Sequence, residues 1–186
     1  MDQLSKIRIG FLISGYGSNL LKVLLNLQKD PDSNFIPSLI LSNKSIIKDI
    51  KKKSREIDKN IKIHENVTNL NIIDFTNSDL IFSIGYMKKI KKNIFDKNLT
   101  INLHPSILPN YKGLMTHKRM IINNEKYYGF TIHRVNESID DGEVLFQKAS
   151  KLKNLNEYDL NKAHKKLEHD NVYKALKKIC TILDKL

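Results

Sequence analysis

At 186 residues, 40% hydrophobic and 28% charged, the chain reads as one folded α/β-sized domain over residues 1–186, not as a disordered or fibrous polymer. No apolar run approaches the roughly 20 residues that span a bilayer, and the first six residues carry an acid where a signal peptide would be basic. The lone Cys180 excludes an internal disulfide and a cysteine metal cluster, so a cytoplasmic protein with one buried structural thiol is expected.

The net charge of +12 would suit a polyanion, but the lysines are dispersed among Asn and Ile along most of the chain. The densest runs, 51–53 and 88–92, fall on expected helices as solvated faces. Attraction of a phosphorylated small substrate is a sufficient consequence, and no specific nucleic-acid partner is expected.

Residues 7–14, Ile-Arg-Ile-Gly-Phe-Leu-Ile-Ser, form the near-continuous apolar run of a central parallel strand. A glycine turn, Gly15-Tyr16-Gly17-Ser18-Asn19, leads into helical periodicity over 20–28. Glycines with a helix N-terminus behind them can hold an anion. A plain turn with Ser18 or Asn19 as helix cap fits the same residues equally well. The loop is neither a Walker loop nor a full dinucleotide fingerprint, since no Gly-Lys-Ser/Thr occurs and Leu20 stands at the third glycine.

A second strand is predicted over 35–42, with Pro37 marking an edge or a start just after it. Asn43 is the expected cap of a helix reaching about Asp58, with Ile46, Ile47, Ile50 and Ile57 inward. A short third strand follows over 61–64, leaving His64 in an exposed loop. A fourth strand is read over 80–86, then a helix over 87–95. This βαβ repetition implies a parallel sheet.

The fifth strand, 99–104, carries the chemistry. Alternation turns Thr100, Asn102 and His104 to one face and Leu99, Ile101 and Leu103 to the other. Pro105 ends it. An amide and an imidazole thus sit together at a strand's carboxyl end, where open α/β sheets keep their reactive groups. A polar strand end with a Pro-bounded loop is the blander reading of the same pair. A helix over 113–123 carries His117. Segments 128–136 and 143–150 then alternate around the acidic loop Ile139-Asp140-Asp141-Gly142, and a long basic amphipathic helix is read over 155–183. His133 is expected to be a satisfied structural histidine, His164 to lie on a solvated face, and His169 to pack in the sheet–helix seam.

Taken in order, Gly17-Ser18-Asn19, Asn102-Leu103-His104-Pro105-Ser106-Ile107-Leu108-Pro109, Tyr111-Lys112-Gly113, Thr116-His117, Asp140-Asp141-Gly142 and Glu168-His169 resemble the folate-dependent formyltransferases over about residues 7–173. The glycine loop and the late Glu-His narrow the resemblance to the phosphoribosylglycinamide branch. The resemblance implies transfer of formyl from 10-formyltetrahydrofolate, as co-substrate and without metal, to the amine of the glycinamide ribonucleotide in purine synthesis. It implies Asn102, His104 and Asp140 as catalytic residues, with a carboxylate favouring the His104 imidazolium, and His117 either in support or in a plain capping or hydrogen-bonding role. It implies phosphate binding at Gly17, Ser18 and Asn19, a substrate contact at Glu168, and a folate lining of Met87, Lys88, Lys89, Ile90, Asn102, Asn136, Glu137, Ser138, Ile139 and Asp140.

The implied fold is one Rossmann-like three-layer α/β domain, its sheet mostly parallel with antiparallel strands toward the C-terminus. Departures from the pattern concentrate on the folate side. The 64–80 connection is short and lacks a basic counterpart, Lys88 stands for an arginine, Met115 for a histidine, and Asp141 for a glycine. These imply a weaker hold on folate. Two rivals remain open: a formyltransferase acting on a nucleotide sugar or on methionyl-tRNA, and a non-catalytic module that binds phosphate or RNA. The tRNA enzymes add a C-terminal domain not expected here, and the glycine loop and Glu168 fit both acceptors poorly.

Overall fold

The computed structural model of the chain describes residues 6–152 and 156–183. Seven strands form one sheet in the order β3-β2-β1-β4-β5-β6-β7. They are β1 (Ile7–Ile13), β2 (Phe35–Ser42), β3 (Lys62–His64), β4 (Leu80–Ser83), β5 (Thr100–His104), β6 (Tyr127–Arg134) and β7 (Val144–Lys151). The first five pair in parallel, and β6 and β7 run antiparallel to their neighbours. The expected α/β architecture with an antiparallel C-terminal side is therefore present.

Strand β1 is apolar on both sides because both of its faces are covered. Ile9, Phe11 and Ile13 join the larger core beneath α1 (Ser18–Leu27) and α5 (Glu157–Leu183), whereas Leu12 joins a second core with Leu41, Val67, Phe75 and Ile81. Chain order reverses between β1 and β4, so the crevice at their carboxyl ends is the switch point where such sheets bind ligands. Two loops are tied there. The Ser14 amide donates to the Gly85 carbonyl at 3.0 Å, and the Met87 amide donates to the Ser14 hydroxyl at 3.0 Å.

Several boundaries differ from expectation for identifiable reasons. Pro37 lies inside β2, which is not an edge strand. It is tolerated because β3 pairs only from Leu39 onward and the β1 register shifts at Ile9/Gly10. The second helix, α2 (Lys48–Ile57), starts well after Asn43 and has no side-chain cap. Residues before it are committed elsewhere, with the Ile46 amide bound to Glu65 and the Lys44 amide to Ser42 Oγ. The expected 87–95 helix shrinks to one turn, α3 (Lys92–Phe95), because the preceding segment is pinned to Ser14 and anchored by buried Ile90. Lys88 and Lys89 therefore lie on a loop, not a helix face. Helix α4 spans Thr116–Ile122 only, since Gly113 and Met115 take positive φ. The short 64–80 connection holds a single 3₁₀ turn, Leu70–Ile72, whose Leu70 packs into the second core. The start of α5 at Leu155 falls outside the described residues. Cys180 is buried on α5, as expected.

Candidate active site

Strand pairing places three polar residues in one row across the sheet. Ser83 on β4 is opposite Asn102 on β5, and Asn102 is opposite His133 on β6. The Ser83 hydroxyl donates to Asn102 Oδ1 at 2.7 Å. With its oxygen held there, Asn102 turns Nδ2 toward His133 Nε2 at 3.3 Å and Asp140 Oδ1 at 3.4 Å. The reverse orientation would set an amide oxygen against a carboxylate, so the arrangement fixes the amide's direction. His133 Nδ1 lies 2.8 Å from the Arg134 carbonyl, which can only accept; that nitrogen carries the proton and Nε2 faces the site.

Two residues further along β5, His104 is buried between two acceptors. Nδ1 is 3.1 Å from Asp140 Oδ2, and Nε2 is 3.0 Å from the Tyr111 carbonyl. Burial is the largest influence and lowers the His104 pKa. The Tyr111 carbonyl and Asp140 raise it without restoring its ordinary value, and the charges of His133 and Arg119 lower it further. The neighbouring carboxylate thus favours the imidazolium, as expected, while burial opposes it by more and leaves the His104 pKa below its ordinary value. Burial also raises the Asp140 carboxyl. The His133 contact, the Gly113 amide at 2.8 Å and the two imidazoles outweigh it and hold Asp140 below the usual carboxylate range. Asp140 sits at φ 51°, so the 135–143 loop is bent specifically to bring it here.

These groups open into a cavity of about 640 Å³, a size suited to a small-molecule ligand. The 85–90 and 135–140 loops form two of its lips, including Met87, Lys88, Lys89, Ile90, Asn136, Glu137, Ser138 and Ile139. Lys92, at the start of α3, pairs with Glu137 on the second lip. Asn19 on α1 and Glu168 on α5 also line the cavity, with Asn19 Nδ2 donating to Glu168 Oε2 at 2.8 Å. Burial pushes the Glu168 carboxyl up to about 7, against the Asn19 bond and the Lys165 charge. Asn19 Oδ1 is buried with no hydrogen-bond partner among the described residues. Neither Ser18 nor Asn19 caps α1; its cap position is Gly17, at φ 56°. A Cβ there would lie within 2.9 Å of Ile13 and Ile50, so only glycine fits. Gly17 and Ser18 sit at the head of α1 and are not among the cavity-lining residues, whereas Asn19 is.

His117 lies on α4 and lines the cavity. Its Nε2 is 2.8 Å from His164 Nδ1. His164 is not on a solvated face. It is fully buried, packed against the Tyr128 ring, and held to a pKa of about 3 first by burial and then by the charges of His117 and His104. Its Nε2 lies 3.7 Å from Glu168 Oε1. The signal for its burial is in the sequence: Leu160, His164, Glu168, Val172, Leu176 and Cys180 recur every four residues and form the inward stripe of α5. His169 is half-buried in the seam, and its Nε2 has no hydrogen-bond partner among the described residues. His64 is exposed, as expected. Among the described residues, no group of three or more His, Cys, Asp or Glu is placed to hold a metal, and no helix is long and apolar enough to cross a membrane.

A sequence model of the formyl transferase family matches residues 7–176. The chain belongs to that family. Among relatives of this formyltransferase, the phosphoribosylglycinamide formyltransferase of Haemophilus influenzae is 31% identical over 151 residues, covering 75% of this chain and 71% of that protein. The trifunctional purine biosynthetic protein adenosine-3 of Gallus gallus is 30% identical over 162 residues, 81% of this chain and 16% of that protein. Methionyl-tRNA formyltransferases match as well. The chain spans between 16 and 42% of the length of the first four curated relatives it matches. In structure it superposes on phosphoribosylglycinamide formyltransferase from Coxiella burnetii with a TM-score of 0.77 at 26% identity, covering 93% of this chain and 86% of that one.

Proposed function

We propose that this formyltransferase moves the formyl group of 10-formyltetrahydrofolate onto the amine of phosphoribosylglycinamide, in de novo purine (IMP) synthesis. The observation that carries this reading is the set Asn102, His104 and Asp140 lining one cavity together with the hydrogen-bonded pair Asn19 and Glu168. Such a cavity supplies a reaction centre and, beside it, a place for a hydroxyl-rich phosphorylated acceptor. Gly17, Ser18 and Asn19 are assigned to the acceptor phosphate, where the first amides of α1 are free of helical partners. Glu168 is assigned to the acceptor body, and Met87 to Ile90 with Asn136 to Asp140 to the folate donor. The relatives of the phosphoribosylglycinamide branch support this acceptor. The reading implies a cytoplasmic protein with small-molecule substrates.

The residues divide the work as follows. As the acceptor amine forms its bond to the formyl carbon, the carbonyl electron pair moves to oxygen. Asn102 Nδ2, pre-aimed by Ser83, donates to that oxyanion; losing one such donor costs about 3–4 kcal/mol in other enzymes. His104 takes the proton shed by the amine nitrogen and delivers it to the departing folate nitrogen as the old C–N bond breaks. Asp140 stabilises the imidazolium between those two events. For both transfers one ring nitrogen must turn from its resting partner toward substrate, and the Tyr111 carbonyl is the neutral partner of the two. His117, tethered to His164, supports the wall of the same cavity.

A formyl-transfer assay with 10-formyltetrahydrofolate and each acceptor in turn tests the reading. Turnover is expected with phosphoribosylglycinamide and not with methionyl-tRNA or an amino nucleotide sugar, and it should vanish in His104→Ala. Turnover on methionyl-tRNA alone would replace the acceptor. None on any acceptor, in folded protein, would favour a binding module.

A further inference from the structure

Arg119 lies on α4 and is not among the residues that line the cavity. We infer that Arg119 is the positioning residue of the proton-transfer pair, acting by clamping the 111–114 loop whose backbone touches both His104 and Asp140. Its guanidinium donates to the Lys112 carbonyl at 2.7 Å and to the Leu114 carbonyl at 3.2 Å, and it lies 5.2 Å from the centre of the Tyr111 ring. The clamped positions are thus 111, 112 and 114. The positions that reach the reacting pair are 111 and 113, through the Tyr111 carbonyl at 3.0 Å from His104 Nε2 and the Gly113 amide at 2.8 Å from Asp140 Oδ2. Grip and delivery alternate along one short stretch, so neither can shift alone.

The loop needs an outside grip. Tyr111 and Met115 both sit at φ 58°, a backbone conformation that non-glycine residues keep only where their surroundings enforce it. Tyr111 is also tied through its hydroxyl, which donates to Glu125 at 2.9 Å and accepts from Asn123 at 3.1 Å. Those two bonds hold the side chain, whereas Arg119 holds the backbone carbonyls on either side of Gly113. Both carbonyl bonds leave one nitrogen, Nη1, while the guanidinium also lies by the Tyr111 ring; a lysine is shorter and has no plane to set against that ring, so it cannot keep all three contacts.

The groups facing His104 come from four elements: Asp140 from the 135–143 loop, His133 from β6, Arg119 from α4 and His164 from α5. The Tyr111 carbonyl and Asp140 favour the protonated ring, and the positive charges oppose it. A change that keeps the charge at 119 but loosens the loop removes a favouring contact only. Proton affinity at His104 must then fall.

The test is Arg119→Lys in the full chain, with the His104 ring followed by NMR across pH in ¹³C-histidine protein and His104→Ala as the blank for assignment. The expected result is a His104 midpoint lower by about half a pH unit or more, with the thermal midpoint retained. In the same variant kcat for formyl transfer should fall about tenfold with little change in either KM, through the loosened Gly113–Asp140 bond, since the Tyr111 bond is released during transfer in any case. An unchanged His104 midpoint in folded Arg119→Lys overturns the inference. If that variant does not fold, Arg119→Gln is read by hydrogen exchange at the Gly113 amide, whose bond to Asp140 the clamp holds; faster exchange than in the parent is expected, and unchanged protection overturns the inference. The kinetic arm rests on the proposed function and the NMR arm needs no substrate. A shifted midpoint without turnover in the parent protein would therefore remove the function and leave the role of Arg119 standing.

Discussion

Asn102 is held from both sides, by the Ser83 hydroxyl and by His133, and His104 two residues on has a partner at each ring nitrogen. On the rim of the same cavity, Met87, Leu114, Met115 and Ile139 are 62 to 73% exposed, and they come from three different loops. The strand-end residues are placed by sheet register, which is rigid and makes their dipoles available without rearrangement when charge develops. The rim residues sit on loops whose backbone is tied but whose side chains stand exposed, and they offer apolar area that can adapt to a flat, extended ligand. Chemistry and donor binding are thus assigned to separate structural materials. Substitutions in the row should change kcat, and substitutions on the rim should change KM.

The largest effects belong to the row. His104→Ala should reduce kcat by about 10²–10⁴-fold and Asn102→Ala by about 10²–10³-fold, with both KM values nearly unchanged. Steady-state kinetics with each substrate varied measures this. A loss carried mainly by KM in either variant would mean that the row binds rather than reacts, and the contrast with the rim would dissolve.

The Asn19–Glu168 pair makes a prediction that needs no substrate. Glu168 has a carboxyl raised to about 7 in the folded protein, above the ordinary 4.5 of an unfolded chain. The folded state therefore holds an extra proton between those values, and this contribution to stability is lost as pH rises through that window and is constant above it. Glu168→Gln removes the titration. Between pH 5 and pH 8 the parent should lose about 2 kcal/mol relative to Glu168→Gln, read from urea midpoints at each pH. Parallel stability curves would show that the carboxyl titrates as if in water, and the pair would then belong with the open rim.

Ser83→Ala sharpens the comparison within the row itself. It removes the hydrogen bond that holds the Asn102 amide oxygen and leaves the Asn102 and His104 side chains in place. A drop in kcat of about tenfold is expected, the size of one ordinary hydrogen bond lost from a positioned group. An unaltered kcat would mean that His133 and Asp140 orient the amide without help.

The residues of this row differ in how far the sequence alone reveals them. Asn102 and His104 are visible because a two-residue period puts them on one face of a short strand that Pro105 terminates. Ser83 and His133 are not, because their proximity to Asn102 depends on which strands pair and in what register. His164 is legible in principle from its four-residue spacing with Leu160, Glu168 and Val172, yet the surrounding lysines disguise an inward stripe as a solvated face. Most of the parallel sheet is legible from apolar runs. The start of α2 is not, since the Ile46 amide is taken by Glu65, nineteen positions away. The same holds for the bend at Tyr111 and Met115, where non-glycine residues give no sign of positive φ.

The smallest expected effect lies on the rim. Lys88 is exposed on the 85–90 lip, a single ammonium where the resemblance to folate-dependent formyltransferases has an arginine. An ammonium presents a point charge, whereas a guanidinium can meet a ligand carboxylate with two parallel N–H bonds. Because the site is open to water, the gain is that of an exposed ion pair, about 0.2–1 kcal/mol, or roughly 1.4- to 5-fold in affinity. Lys88→Arg should therefore lower KM for the folate donor by about threefold and leave kcat alone, and added salt should erase the difference, since screening acts on exposed charges first. A change in kcat would show that the lip moves during the chemistry. An unchanged donor KM would show that the donor's acidic end does not pass over Lys88, and the weaker hold on folate implied by this position would have to be sought instead at the shortened 64–80 connection or at Met115.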